Sequence, residues 1–171
     1  MKPRRGAVLA LALVLSLFLV GTAIAATTTR TARALTQVKV VHGGDATTTN
    51  STSFVDLPGA STTITVASNT RALVLARFSA ESACSGGTGY CPVRILINGT
   101  EADPAVGNDF AFDSTDGGND TAASWESHAV ERSRAYFTPG TYTVRVQYKT
   151  TQSATILRLD DWTLVVEAIA A

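Results

Sequence analysis

Thr141-Tyr142-Thr143-Val144-Arg145-Val146-Gln147-Tyr148 is the stretch that decides the fold. Tyr142, Val144, Val146 and Tyr148 take alternate positions, and Thr141, Thr143, Arg145 and Gln147 take the others. Successive side chains of a strand point to opposite faces, so this alternation predicts a β-strand with one apolar and one polar side. The turn dipeptide Pro139-Gly140 sets its start.

Working outward, the same reading finds more strands. On the C-terminal side, Ile156 to Val166 predicts a last strand with a kink or bulge at Asp160-Asp161. On the N-terminal side, Trp125 to Tyr136 predicts a longer, irregular strand, and Phe110 to Asp113 a short one. Val93 to Ile97 ends in Asn98-Gly99, the dipeptide of a tight hairpin turn. Ala72 to Ala80 is apolar on nearly both faces, as a central strand is. Thr62 to Val66 and Leu35 to Val41 alternate again, while Phe54 to Leu57 is expected to stop at Pro58-Gly59. His42 to Asp45 reads as the start of a polar loop. No window of helical length places apolar residues at a helical period. Eight or nine short strands with turns between them predict an all-β antiparallel β-sandwich over residues 35–171.

The N-terminus carries a different signal. Lys2, Arg4 and Arg5 precede an apolar run from Ala7 to Val20, and Ala23-Ile24-Ala25 is a small-x-small cleavage pattern. That layout predicts a secretory signal peptide over residues 1–25, hence an extracellular protein with no membrane anchor after cleavage. The Thr-rich residues 26–34 are expected to form a flexible leader. Cleavage removes three of the 14 basic residues and none of the 14 acidic ones, leaving 11 against 14. A chain with that balance lacks the basic surplus of a nucleic-acid binder. Cys84 and Cys91 bracket a Gly-rich loop, and an even cysteine count in an exported chain predicts a disulfide between them.

Three features from Phe54 to Val166 carry a family resemblance. They are the apolar strand Ala72 to Ser79, the strand Val93-Arg94-Ile95-Leu96-Ile97 with its Asn98-Gly99 turn, and Pro139-Gly140-Thr141-Tyr142 leading into the alternating strand. On these the chain resembles small secreted bacterial jelly rolls, broadly C1q/TNF-like. The resemblance implies a homo-oligomer, in particular a trimer, acting by protein or glycan contact without catalysis. A collagen-like stalk, which would accompany such a domain, is missing.

Candidate sites are few. Leu73 and Leu75 share the face of the central strand opposite Val74, Ala76 and Phe78, so they are expected to point outward as an interface. Tyr90, inside the disulfide loop, is a candidate ligand contact. Asp109, Asp113, Asp116, Asn119 and Asp120 offer oxygens for calcium, or serve as turn residues of a solvated loop. Trp125 and Trp162 read as core, with a sugar-stacking role as the alternative; that alternative would make the domain a carbohydrate-binding module. His128 lies near Glu126, Ser127 and Glu131, but no nucleophile elbow accompanies it, so no enzyme is expected.

Overall fold

The alternation from Tyr142 to Tyr148 is built as expected: Val144, Val146 and Tyr148 are buried, and Thr141 and Thr143 are exposed. In the computed structural model, which describes residues 29–107 and 110–171, eleven strands follow one another. They are β1 (Ala34–Gly43), β2 (Thr47–Thr49), β3 (Val55–Val66), β4 (Ala72–Ser85), β5 (Tyr90–Cys91) and β6 (Val93–Ile97). After these come β7 (Thr100–Glu101), β8 (Asp113–Ser114), β9 (Glu126–Phe137), β10 (Gly140–Tyr148) and β11 (Ile156–Ala170). The signal-peptide reading and the first leader residues lie outside the described residues. No helix among the described residues is long and apolar enough to cross a membrane.

Two antiparallel sheets form the sandwich, one in the order β1-β11-β4-β9 with β2 also on β11, the other in the order β3-β10-β6-β7. Setting aside β2, β5 and β8, the eight remaining strands pair in nested fashion. The first pairs with the last (β1 with β11), β3 with β10, β4 with β9, and β6 with β7. That is one long hairpin rolled into two layers, the jelly-roll arrangement of an antiparallel sandwich. The strand count exceeds the expected eight or nine because β2, β5 and β7 are short additions, while the expected strands Phe54 to Leu57 and Thr62 to Val66 merge in β3. One expected strand shrinks: of Phe110 to Asp113, only Asp113 joins a ladder, in β8.

The inner faces meet in one core. Phe78, Ile64, Ile95, Ile97, Leu157, Leu159 and Leu164 are fully buried there. Phe78 lies between Phe112 and Trp162, with ring centroids 5.8 and 6.3 Å away. Trp162 is buried as expected, but Trp125 stands at the surface with Arg158 stacked over its ring. The position of Trp125, one residue before β9 begins, leaves it without a neighbouring layer to pack against.

Two turn signals act inside strands. Pro58-Gly59 does not end a strand; β3 runs through it from Val55 to Val66. The ladder to β10 shifts register opposite it, between Arg145 and Gln147, so the dipeptide forms a bulge, where a strand tolerates Pro. Gly43, expected in a loop, closes β1 directly opposite Trp162. A Cβ there would lie 2.3 Å from Trp162 Cε2, so the bare glycine makes room for the indole. The Asp160-Asp161 bulge is present, with Asp161 at φ 43° and a register shift on β4. Asn98 and Gly99, at φ 53° and 75°, make the expected tight turn.

Cys84 and Cys91 are joined, with Cα atoms 6.1 Å apart. They lie at a separation of seven residues and are both buried. Replacing both by alanine is expected to lower stability by about 2.5 kcal/mol, the loop-closure entropy returned to the unfolded chain. Urea denaturation at unchanged pH measures it; an unchanged midpoint would show that the bridge does not restrain the unfolded state.

Candidate functional site

The outer faces of the two sheets differ in chemistry. Outside the β3-β10-β6-β7 sheet, polar side chains are linked to one another. Arg94 Nε donates to Gln147 Oε1 at 2.8 Å, Gln147 Nε2 to Asp56 Oδ1 at 2.7 Å, and Arg145 to Asp56 at 3.2 Å. Arg94 also pairs with Glu101 at 3.3 Å. Outside the other sheet the register assembles apolar residues. Leu35 faces Ile169, Val40 faces Val165, Val38 faces Glu167, and Leu73 lies across from Ile169. A register shift between Leu35 and Gln37 keeps Leu35 on the same side as Val38 and Val40. Arg77 and Glu131 border this face with a hydrogen bond of 2.8 Å, which raises the Arg77 guanidinium above its ordinary pKa.

Leu73 and Leu75 do occupy the outer face, but they are not its exposed part. Leu73 is buried and Leu75 half-buried. The residues before β1 account for this. Arg33 N donates to Ala170 O on β11, while Arg30 reaches Ser133 on β9 and pairs with Asp103. The segment between those anchors crosses the sheet at the level of Leu73, whose neighbour Leu75 pairs with Ser133. What stays exposed is the β1 row, with Leu35 at 56 %, Val38 at 43 % and Val40 at 49 %. The sequence showed these as ordinary strand residues, and only the ladder reveals that they share a face with β4.

The Asp-rich loop and the disulfide loop come together at one end. Thr115 donates to Gly89 O from both its N–H and its Oγ1, at 3.2 and 2.9 Å, and β5 pairs with β8. Tyr90 sits here half-buried, its N–H donating to Thr151 Oγ1 at 2.9 Å. The described calcium candidates do not form one cluster. Asp109 lies outside the described residues. Asp116 and Asn119 form a turn of their own, Asn119 Nδ2 donating to Asp116 O at 2.7 Å. Asp113 points to a different partner set. One ligand atom each from Asp113, Glu126 and His128 lies within 4.8 Å of the other two.

That cluster grows out of the β4–β9 ladder. Glu126 and His128 alternate on the inner side of β9, opposite Ser82 and Ala80 of β4. Ser82 Oγ is 2.9 Å from His128 Nδ1, and His128 Nε2 is 3.3 Å from Glu126 Oε2. Phe112 packs its ring against the imidazole at 5.6 Å and places Asp113 beside it. Asp113 is buried; Oδ1 accepts from Ser114 N at 2.6 Å and Oδ2 has no hydrogen-bond partner. A serine, a histidine and a glutamate in sequence resemble a hydrolase triad, but Ser82 is fully buried and no substrate carbonyl reaches its hydroxyl. Ser127, the serine nearest His128 in sequence, pairs with Glu81 on the opposite side of β9.

No protein-family model and no curated protein matches the chain. Among solved structures, the chain is similar to dimeric latent PorU from Porphyromonas gingivalis, with a TM-score of 0.43 and 15 % identity. The likeness covers 82 % of this chain and 14 % of that one, and at this level it carries no argument.

Proposed function

We propose that the protein is an exported, non-catalytic binding domain that docks the outer face of its five-stranded sheet onto further copies of itself. The observation that carries this reading is the exposed row Leu35, Val38 and Val40, flanked by half-buried Leu75, Val165 and Ile169. An apolar patch on a domain surface marks an interaction surface when polar groups rim it, as Arg77 and Glu131 do here, with Glu167 set inside the patch between Val38 and Leu75. The opposite outer face satisfies its polar groups internally and offers no such patch. The signal-like N-terminus and the disulfide support export, and the jelly-roll resemblance favours a trimer.

Sedimentation velocity on the purified protein at micromolar concentration tests the proposal. The expected result is a multiple of the monomer mass, reverting to the monomer in a Val38→Lys, Val40→Lys variant. A monomer for the unaltered chain across that range would refute the reading.

A further inference from the structure

We propose that Asp113, Glu126 and His128 form a binding site for a divalent first-row transition cation, a role independent of the docking face. The donor set is one imidazole nitrogen and two carboxylates, all within 4.8 Å. Imidazole suits zinc, iron, cobalt, nickel and copper, whereas calcium selects oxygen alone. The 3.3 Å between His128 Nε2 and Glu126 Oε2 matches the edge of a tetrahedron with bonds of about 2.0–2.1 Å.

Two further observations point to an ion. The first is Asp113, only 6 % exposed, whose Oδ2 is buried and unpartnered. A buried carboxylate oxygen without a partner is costly, and an ion is one of the few groups that resolve it. A hydrogen bond between His128 and Glu126 satisfies those two side chains and leaves Oδ2 as it is; a cation shared by all three satisfies each. The second is Ser82. Its Oγ lies 2.9 Å from His128 Nδ1 and can accept an Nδ1–H, the tautomer that frees the Nε2 lone pair for a cation. Metal-bound histidines are oriented in this way by a second partner on the far nitrogen.

The scaffold fixes two ligands and leaves one adjustable. His128 is held between Ser82 and the Phe112 ring, and Asp113 is held by its ladder to Cys91 beside the disulfide. Glu126, with its side chain 59 % exposed, closes on the ion by a rotamer change. Three protein ligands leave a coordination position open on that exposed side for water or a small ligand.

Zinc titrated calorimetrically into chelator-stripped, purified protein tests this, with cobalt absorption as a reporter of coordination. Binding of one equivalent is expected, weakened about tenfold or more by Asp113→Asn and by His128→Ala. The metal-free Asp113→Asn variant is expected to match the parent in urea resistance, because it replaces the unpartnered Oδ2 and keeps the Oδ1 acceptor for Ser114 N. Zinc is expected to raise the thermal midpoint of the parent and leave that of the variant unchanged. No one-to-one binding, or binding that survives both substitutions and disappears with His42→Ala, would overturn the proposal.

Discussion

Phe78→Ala is expected to lower the stability of the domain by about 4 kcal/mol, the range for truncating a fully buried aromatic side chain. Phe78 is 0 % exposed and belongs to β4, which is flanked by β11 and β9. Its ring contacts Phe112 from the loop after β7 and Trp162 from β11, so its removal opens a hole where three parts of the chain meet. None of them can collapse into the space alone, because each is held by its own ladder or loop contacts. Urea denaturation should show a lower midpoint at an unchanged slope. A loss under about 1.5 kcal/mol would mean that the core relaxes around the site, contrary to the close packing described.

Gly43→Ala is expected to destabilise by about 3 kcal/mol, at the upper end of the usual cost of overpacking. The new Cβ would sit 2.3, 2.4 and 2.5 Å from Cε2, Cζ2 and Nε1 of Trp162. Trp162 is only 4 % exposed and stacks toward Phe78, so the indole has no free direction in which to move. Gly59 lies against the same ring, a Cβ there meeting Cζ2 at 3.5 Å. The indole thus bridges β1 and the bulge of β3, and the substitution should shift tryptophan fluorescence along with the unfolding midpoint. Combining it with Trp162→Leu should recover part of the loss, since the smaller side chain vacates the clash; a purely additive double variant would rule out the steric explanation.

Much of the fold was legible because local signals agreed with it. The period of two from Tyr142 to Tyr148, the Asn98-Gly99 turn, the Asp160-Asp161 bulge and the short disulfide loop are each encoded within a few residues. The failures share a cause. Pro58-Gly59 looks like a stop, but the partner strand β10 accommodates it by a shift of register. Gly43 looks like loop, but its meaning lies 119 residues away in Trp162. Leu73 looks like an outward patch, yet the segment anchored by Arg30 and Arg33 passes over its part of the sheet.

The candidate sites were less legible than the fold. His128 and Glu126 were visible as neighbours on one strand face, but Ser82 is 46 residues from His128 and joins it only through the β4–β9 ladder. Asp113 was grouped with its acidic neighbours in sequence, and the β5–β8 pairing turned it away from them. The exposed β1 row depended on a one-residue bulge near Thr36 that no local pattern announces.

The central claim is that the outer face of β1 becomes buried when copies of the chain meet. The described chain has no free cysteine, so single thiols can report on chosen positions. Val38→Cys lies in the exposed row, and Thr143→Cys lies on the outer face of the other sheet. Alkylation rates of both, measured from dilute to concentrated protein, read burial directly and for any symmetry of assembly. The account predicts that Val38→Cys slows by about tenfold or more as concentration rises while Thr143→Cys does not change. Equal rates at both positions throughout, or slowing at Thr143→Cys alone, would contradict it.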